Sequence, residues 1–375
     1  MSGFRVVVCG GGIAAVEALL RLRRAAPEEV DVTVVSPEDE LRYRPLAVQE
    51  PFARPGARRY PLREIASRVG ADLLRDALEW VDGDGQVVHT AGGEELPYDA
   101  LLLAVGARSV PALDHVTTFD DAHADETFLG IVKDIEDGYS KNLALVVPEG
   151  PTWSLPVYEL ALQTADRAHS AGFDDVTITV ITPEDAPLEV FGEPVAAAVH
   201  EVLTEAGVRL ITGSRAEVPA NRRLVVHPGD LDLEPELIVA LPRMEGRAIR
   251  GLPSVHGGFV PIDDSTRVVG MGEHVFAAGD TTDFPVKQGG LGAQQADVAA
   301  ANVAALAGDH DREKLEPVLR GALIAGERRS LYFEARLENG RPVDSQVLDE
   351  PPWSAAEKVV AEELGPFLQT LDEQP

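Results

Sequence analysis

The sequence predicts an α/β fold with two nucleotide-binding-like domains, each a parallel sheet between helices in three layers. Two observations carry this prediction. Segments with strand and helix patterns alternate in the order strand, glycine turn, helix, strand, which describes a βαβ unit. The order then recurs: residues 33–39 read TVVSPED and residues 179–185 read TVITPED, at the end of the second strand of each unit. This internal repeat indicates two related Rossmann-like domains.

The predicted elements follow along the chain. The first unit has a strand at 5–9, a helix at 14–24 and a strand at 30–35, and the apolar run at 100–106, which ends in glycine, is a further short strand. The second unit has a strand at 143–147, a helix at 156–171 and a strand at 176–181. A strand at 275–280, an alanine-rich helix at 290–306, a hairpin of 331–338 with 341–348 about Asn339-Gly340, and a helix at 354–371 complete the chain.

Length and composition narrow the function classes. A chain of 375 residues exceeds one compact core, so two or three domains are expected. The 63 acidic and 33 basic residues give a formal charge of −30, which repels phosphate backbones and disfavours nucleic-acid binding. No apolar run reaches the roughly 20 residues that span a bilayer, and the N-terminus lacks the pattern of a signal peptide. We therefore expect a cytoplasmic protein with no transmembrane segment.

A dinucleotide-binding fingerprint lies at residues 10–15, which read GGGIAA and fit G-x-G-x-x-G/A. The first glycine permits a tight turn, and the second lets the backbone approach a pyrophosphate. The small last residue lets helix and strand pack closely, and the helix N-terminus faces the phosphates. The acidic residue expected after the second strand is replaced by Ser36. Either the Ser36 hydroxyl or the carboxylate of Glu38 would bind the ribose.

A second signature lies far along the chain at Gly279-Asp280, where an apolar strand ends before a helix. In flavoproteins that bind two dinucleotides, such an Asp holds the ribityl chain of FAD, and the following helix directs its positive end at the flavin. The alternative for Asp280 is a helix N-cap. The fingerprint, the turn at Ala104-Val105-Gly106 and this signature occur in the expected order. The sequence therefore predicts non-covalently bound FAD.

The chain resembles the pyridine nucleotide–disulfide oxidoreductase superfamily over nearly its whole length, in particular the branch of type II NADH dehydrogenases and sulfide:quinone oxidoreductases. Residues 42–46 (RYRPL) resemble the loop that lies along the FAD in that branch, and residues 287–290 (KQGG) resemble a lysine-bearing segment near the isoalloxazine ring. The resemblance implies an FAD-dependent oxidoreductase. The residues expected to bind FAD are Gly10, Gly12, Ile13, Ala14, Ala15, Ser36, Pro37, Arg44, Pro45, Leu78, Ala104, Val105, Gly106, Gly279, Asp280, Lys287, Gln288 and Gly289.

The resemblance also implies a domain division. Residues 1–110 and 244–320 would form a discontinuous FAD-binding domain, interrupted by a second, NAD(P)-binding-like domain at 111–243. Residues 321–375 would form a small C-terminal region of hairpin and helix that covers the far side of the flavin.

The second domain departs from relatives that use NADH. Residues 148–156 read PEGPTWSLP and keep only Gly150 of the glycine fingerprint. Trp153 and three prolines replace the small residues, and each proline lacks an N–H donor. Conventional NAD(P)H binding is therefore disfavoured. Residues 156–160 (PVYEL) resemble instead the Pro-x-Tyr-Glu segment of sulfide-oxidising relatives, which use no NADH.

Those sulfide-oxidising relatives carry a pair of cysteines beside the flavin, whereas Cys9 is the single cysteine of this chain. Trp153 and the Phe284-Pro285 region stand about where the two cysteines would lie, and neither aromatic side chain can form a persulfide. Sulfide oxidation by the usual route is therefore disfavoured. Residues 150–162 and 284–291 together resemble a bacterial subfamily of FAD-dependent oxidoreductases that lacks the redox cysteines.

Two side chains are candidates for chemistry at the flavin. A cation at Lys287 would stabilise negative charge on the reduced ring; the alternative is a solvated surface lysine. Glu159 would serve as a general base if burial raises its pKa; the alternative is a first-turn carboxylate that favours the helix dipole. The histidines are scattered singly, so no metal site is predicted.

The predicted C-terminal helix bears on the question of membrane attachment. Its polar face is acidic, with Lys358 the single cation, whereas membrane-surface helices usually carry Lys and Arg there. We expect it to pack against the body or a second subunit, as in a homodimer, and weak peripheral contact with the inner face of the membrane stays open. Its apolar face would contain Trp353, Val359, Val360, Leu364, Phe367, Leu368 and Leu371.

Three functions remain open at this point. The first is an FAD-dependent oxidoreductase that passes electrons from a small-molecule donor to a quinone or a protein acceptor. The second is an NAD(P)H-dependent flavin reductase or dehydrogenase that binds nicotinamide through the altered loop. The third is a flavin-binding sensor or scaffold without catalytic activity.

Overall fold

A computed structural model describes residues 3–26, 28–308, 310–326, 329–351, 353 and 358–373. The helices in these ranges are α1 (Ile13–Ala25), α2 (Leu62–Val69), α3 (Ala124–Glu136), α4 (Leu155–Ser170), α5 (Glu193–Glu205), α6 (Gly289–Ala307) and α7 (Leu364–Asp372). The strands are β1 (Phe4–Cys9), β2 (Val30–Val35), β3 (Glu40–Tyr43), β4 (Arg58–Pro61), β5 (Asp72–Leu74), β6 (Leu78–Asp82), β7 (Val87–Thr90), β8 (Glu95–Pro97), β9 (Ala100–Leu103), β10 (Arg108–Val110), β11 (Thr117–Thr118), β12 (Asn142–Val146), β13 (Thr177–Ile181), β14 (Arg209–Ile211), β15 (Arg215–Ala220), β16 (Arg223–His227), β17 (Leu231–Leu233), β18 (Leu237–Ala240), β19 (Arg243–Glu245), β20 (Val275–Ala277), β21 (Val318–Ile324), β22 (Ser330–Glu338) and β23 (Arg341–Leu348).

The N-terminal strand lies at the centre of a five-stranded parallel sheet in the order β20-β9-β1-β2-β5. The strands β9 and β20 and residues 6–9 of β1 are short apolar runs that are buried on both faces, as parallel sheets between helices require. The alanine-rich helix α6 packs closely on α1 along one face. Because β20 comes from residues 275–277, this sheet is completed only after the chain has built a second one.

The second sheet repeats the first. Its order is β11-β18-β12-β13-β14, all neighbours are parallel, and β12–α4–β13 corresponds to β1–α1–β2. The repeat extends to single hydrogen bonds. Ser36 Oγ accepts the N–H of Glu38 at 3.2 Å, and Thr182 Oγ1 accepts the N–H of Glu184 at 3.2 Å. The predicted α/β fold with two Rossmann-like units and a small C-terminal region is confirmed.

Several short antiparallel elements have no counterpart among the sequence predictions: the β3–β4 hairpin and the sheets β6-β7-β8 and β15-β16-β17. Their strands mix charged and apolar residues and lack a continuous apolar run, so periodicity gives little signal. One of them changes an expectation. The predicted loop at 42–46 begins inside β3, where Arg42 lies opposite Arg59 of β4.

The predicted C-terminal hairpin is confirmed and belongs to a three-stranded antiparallel sheet with β21. Asn339 and Gly340 have φ angles of 51° and 73°, the left-handed conformation that a two-residue hairpin turn requires. This sheet packs against α4 and α6. Leu319, Leu323 and Phe333 are buried in that contact.

The predicted C-terminal helix is wrong in its start. Of the predicted span 354–371, residues 354–357 lie outside the described residues, residues 358–363 are not helical, and α7 begins at Leu364. The reason lies in α1, where the buried Glu17 carboxylate accepts the N–H groups of Glu363 at 2.9 Å and Leu364 at 2.6 Å and so fixes the helix start. Leu364 and Leu368 pack with residues of α1, α2, β3 and β4, so the apolar face of α7 lies on the body of its own chain.

The glycine turn between β1 and α1 contains two glycines with different constraints. Gly10 has a φ angle of 137°, and a Cβ there would lie 2.1 Å from the carbonyl oxygen of Ala104. At Gly12, the N-cap of α1, φ is −88° and a Cβ would meet nothing within 4 Å. Gly10 is therefore required by the fold, whereas Gly12 is not.

We expect Gly10→Ala to destabilise the protein without cofactor by more than about 1–3 kcal/mol, since backbone strain is added to a clash with the carbonyl oxygen of Ala104, just after β9. The matched variant Gly12→Ala should lose less than about 1 kcal/mol, as for a glycine N-cap replaced by alanine. Denaturant unfolding of both variants measures the difference. Equal losses of stability would contradict this interpretation of the turn.

Candidate functional site

A cavity of about 940 Å³ opens where the strands of the first sheet end. It is bordered by the turn after β1, the turn after β2, residues 104–107 after β9 and residues 278–280 after β20. Ligands of open α/β sheets bind outside the carboxyl ends of the strands. The volume lies at the upper end of the roughly 300–1,000 Å³ typical of ligand and cofactor sites. The loop before α4 and the C-terminal region close the other sides.

Nearly all residues that the sequence assigns to the cofactor line this cavity. They are Gly10, Gly12, Ile13, Ala14, Ser36, Pro37, Arg44, Pro45, Leu78, Ala104, Val105, Gly106, Gly279, Asp280, Lys287, Gln288 and Gly289, joined by the candidate base Glu159. The exception is Ala15. It is fully buried in the core that contains residues of α1, α6 and the sheet, where its small size serves the predicted helix–strand packing, and, against the prediction, it does not line the cavity.

The sequence leaves open whether Ser36 or Glu38 would bind the ribose, and the structure places the two side chains differently. The Ser36 side chain is fully buried beneath the glycine turn, and a Cβ at Gly11 would lie 2.6 Å from its Oγ. Its hydroxyl is already engaged with the backbone of Glu38. Glu38 itself is exposed and lines the cavity. Of the two, Glu38 is the side chain free to meet a ribose.

Gly279-Asp280 lies where α6 approaches the end of β20. Gly279 has a φ angle of 76°, and its N–H donates to Gln295 Oε1 of α6 at 2.7 Å. The N-cap of α6 is Gln288, whose side chain accepts the N–H of Leu291, so Asp280 does not cap that helix. Burial raises the pKa of the Asp280 carboxyl, and the nearby charge of Lys287 opposes the rise.

Lys287 is only 5% exposed, which excludes a solvated surface lysine. Its Nζ donates to the carbonyl oxygen of Thr282 and lies 3.8 Å from the centre of the Phe259 ring. Burial lowers the pKa of this ammonium to about 8, and the charges of Asp280 and Asp283 counteract the fall. The cavity therefore contains a cation held at a defined position.

Glu159 lies in the second turn of α4 and is completely buried, so it is not a first-turn carboxylate that favours the helix dipole. Its carboxylate forms an ion pair with Lys358, at 2.6 and 2.7 Å from Nζ, and accepts the N–H of Ile324 at 2.9 Å. Burial raises the pKa of Glu159, whereas Lys358 and the Ile324 N–H lower it. Both members of the pair line the cavity.

The loop before α4 forms the wall that faces the second sheet. Thr152 Oγ1 donates to the carbonyl oxygen of Pro242 at 3.0 Å, and the carbonyl oxygen of Pro151 accepts the N–H of Met244 at 2.8 Å. Trp153 lines the cavity with its ring centre 6.0 Å from that of Phe191. Phe284 packs against the core and is not part of the cavity wall.

Sequence reasoning missed several residues of the cavity. Lys358 carried one signal, because it is the single cation of an otherwise acidic C-terminal segment. No motif assigned the others to this site, and tertiary packing places them there. They are Val48, Phe119, Leu155, Leu241, Met244, Arg247, Arg250, Gly321, Ala322 and Val359.

Within the ranges that the structure describes, no group of three or more His, Cys, Asp or Glu side chains could hold a metal ion. In the same ranges, no helix combines the length and apolar character needed to cross a membrane.

The chain is similar in sequence to several known proteins. Among curated proteins, the chain is 24% identical over 312 residues to monodehydroascorbate reductase 4, peroxisomal, of Arabidopsis thaliana, with 76% of this chain and 61% of that protein covered. It is 27% identical over 192 residues to the sulfide-quinone reductase of Aquifex aeolicus (strain VF5), with 48% and 43% covered. It is 24% identical to rhodocoxin reductase of Rhodococcus erythropolis, with 75% and 65% covered. These matches span less than two thirds of each relative.

Solved structures show the same fold at low identity. The sulfide:quinone oxidoreductase of Aquifex aeolicus matches with a TM-score of 0.78 and 18% identity, over 99% of this chain and 90% of that one. An NAD-dependent persulfide reductase of A. fulgidus matches with a TM-score of 0.62 and 20% identity, over 89% and 64%. The family model described as pyridine nucleotide-disulphide oxidoreductase matches residues 4–305. The chain therefore belongs to the pyridine nucleotide-disulphide oxidoreductase family, whose members are oxidoreductases that bind FAD non-covalently.

Proposed function

We propose that this FAD-dependent oxidoreductase takes electrons from a small-molecule donor other than NAD(P)H and passes them to a quinone or a protein acceptor. The observation that carries the proposal is the second repeat, in which both groups that would bind a nicotinamide dinucleotide are already bonded within the protein.

The cavity residues fit FAD. The open position at Gly12 leaves room for a diphosphate at the N-terminus of α1, and Glu38 would bind the adenosine ribose. Asp280 would hold the ribityl chain, and residues 287–289 would lie along the ring. When bound, FAD supplies two-electron transfer, and the protein supplies orientation and charge.

The start of α4 differs from the start of α1. Helix α1 opens at glycine residues, and its first helical hydrogen bond runs from Val16 N–H to Gly12. In α4, Pro156 has no N–H, and Val157 N–H already donates to the carbonyl oxygen of Ser154 at 3.0 Å. Few donors are left for a diphosphate at the α4 N-terminus. This supports a donor other than NAD(P)H.

The carboxylates after the second strands also differ. Glu38 is exposed in the cavity, whereas the equivalent Glu184 accepts hydroxyl hydrogen bonds from Ser154 and Thr182, both at 2.9 Å, and from Tyr158. Burial raises the pKa of Glu184, and these hydrogen bonds oppose the rise. The group that would bind a nicotinamide ribose thus ties the loop after β13 to the start of α4.

Sulfur chemistry on the protein is equally disfavoured. Cys9 is the single cysteine, is completely buried and does not line the cavity. Burial raises the pKa of its thiol to about 12, so no thiolate is available at neutral pH. The donor would therefore react with the flavin directly. The wall that would receive a donor or a quinone is largely apolar, with Phe119, Trp153, Leu155 and Leu241.

Two charged groups would serve the chemistry. Lys287 would stabilise the negative charge that the ring gains on reduction. Glu159, paired with Lys358, would hold or release a proton at the wall formed by α4.

The cytoplasmic location, the homodimer, peripheral membrane contact and the domain boundaries at 110, 243 and 320 remain predictions from the sequence.

Anaerobic stopped-flow mixing of the FAD-loaded protein with NADH and with NADPH tests the proposal. We expect no bleaching of the flavin absorbance by either nucleotide at saturating concentration, and full bleaching by dithionite. A Glu184→Gln variant serves as a control. Glutamine has the shape of glutamate and can still form hydrogen bonds, so neither nucleotide should bleach the flavin of this variant. Rapid bleaching of the wild-type flavin by NADH would favour the NAD(P)H-dependent alternative and overturn the proposal.

Lys287→Met should lower the midpoint potential of the bound flavin, because a fixed cation favours the more negative, reduced ring. For a two-electron couple, about 30 mV corresponds to 1.4 kcal/mol of lost stabilisation. Spectroscopic titration against redox dyes measures the shift. Lys314→Met, at an exposed lysine paired with Asp264, is the matched control. An unchanged potential in the Lys287 variant would remove this role.

Lys358→Met should destabilise the protein more at pH 8 than at pH 5. The folded-state pKa of Glu159 is raised by burial, so stability falls as pH rises from the unfolded-state pKa, roughly 4.3, toward the folded-state value. Without Lys358 that value rises further, and the loss at pH 8 should approach about 3–5 kcal/mol. Denaturant unfolding at the two pH values measures it.

Two further variants define the outcome. Lys358→Arg keeps the cation and should retain most of the stability, and adding Glu159→Gln to Lys358→Met should recover part of the loss. The same loss at pH 5 and pH 8 would contradict a charged Glu159–Lys358 pair.

A further inference from the structure

Two arginines lie on the rim of the cavity, and none of the sequence motifs assigns them a role. Arg247 and Arg250, here called the rim pair, line the cavity and are exposed. Neither forms an ion pair with any residue that the structure describes, although acidic residues outnumber basic ones by 63 to 33. Arg44, which also lines the cavity, is by contrast paired with Asp121 at 3.0 Å. The rim pair therefore offers two guanidinium groups at the mouth of the cavity, and an anionic group of a ligand would supply their counter-charge.

Arg250 is held by an aromatic stack. Its guanidinium carbon lies 4.7 Å from the centre of the Trp80 ring. The Trp80 ring is stacked on His89, with centres 3.8 Å apart and planes within 5°. The backbones are joined as well, because Val81 N–H donates to the carbonyl oxygen of Arg250 at 3.0 Å. A planar guanidinium on an aromatic face keeps its N–H edge free to bind phosphate.

Arg247 is held from the other side. Its Nε donates to the carbonyl oxygen of Val105 at 3.0 Å, which leaves its terminal N–H groups for a ligand. Val105 belongs to the turn after β9 that the sequence assigned to the cofactor. The rim pair therefore extends from that turn toward Leu78 and Glu79, which line the cavity next to Trp80.

The segment that carries the rim pair is fixed by close backbone contacts. Gly246 N–H donates to the carbonyl oxygen of Gly257 at 2.7 Å, and a Cβ at Gly246 would lie 2.2 Å from the Gly258 backbone. Gly251 has a φ angle of 86°, and a Cβ there would lie 1.8 Å from the carbonyl oxygen of Val81. The backbone that carries the rim pair is therefore already held in place before a ligand binds.

We propose that Arg247 and Arg250 form a phosphate clamp over the adenosine diphosphate half of the bound dinucleotide, and that Trp80 is a positioning residue that holds Arg250 in place. The inference rests on FAD occupying the cavity. The clamp completes on the rim what the glycine turn and the α1 N-terminus begin inside it, since charged guanidinium donors bind phosphate more strongly than neutral N–H groups do.

Binding titrations of three probes to the protein stripped of its cofactor test the clamp: FAD, ADP and riboflavin, which lacks phosphate. The double variant Arg247→Ala/Arg250→Ala should weaken FAD and ADP by about 10- to 100-fold, as for lost hydrogen bonds to a charged group. Riboflavin affinity should be unchanged. Arg223→Ala, which removes an exposed arginine paired with Asp232 on β16, is the matched control for charge and should leave all three affinities unchanged.

The positioning role has its own readout. Trp80→Leu should weaken FAD and ADP in part, whereas Trp80→Phe, which keeps an aromatic face for Arg250, should restore them. Unchanged FAD and ADP affinities in the double variant, or an equal loss of riboflavin affinity, would overturn the clamp while leaving the FAD assignment intact. A wild-type protein that fails to bind FAD would overturn both.

Discussion

The site depends on backbones that approach each other with no side chain between them. The turn after β1 lies against the carbonyl oxygen of Ala104, so Gly10 leaves no space for a Cβ. On the other side, Gly292 of α6 brings that helix onto Gly279, where a Cβ would lie 3.0 Å from the Gly279 Cα. These contacts draw the ends of β1, β9 and β20 together. The cavity for the cofactor is the space that remains outside them.

The two parallel sheets share one fold and differ in the surroundings of the carboxylate that follows the second strand. Both repeats keep the strand order, the crossover helix and the hydroxyl that accepts the N–H two residues later. They differ at the groups that would meet a dinucleotide. In the first repeat the carboxylate of Glu38 faces the cavity; in the second, Glu184 is bonded to hydroxyls of its own domain. There the carboxylate ties the loop after β13 to the start of α4.

The C-terminal region couples the electrostatics of the cavity to the stability of the chain. Its three-stranded sheet packs on α4 and α6, and the segment before α7 brings Lys358 to Glu159. A buried carboxylate without a counter-charge would cost several kcal/mol. The same segment is held at its other end by Glu17 and Arg24, which bond Glu363. The proposed proton-handling group therefore depends on residues about 200 positions away in sequence.

The sequence by itself determined the fold class, the βαβ repeat, the hairpin and most of the cavity floor, because these depend on local signals: apolar runs, glycine turns and short motifs. Tertiary structure alone decided the rest. It showed that Ala15 lies outside the cavity, that α7 starts at Leu364, and that Lys358, Arg247 and Arg250 reach the cavity. The physical reason is that ion pairs, buried caps and aromatic stacks join segments far apart in the chain, and such partners leave no periodicity in the sequence of either one.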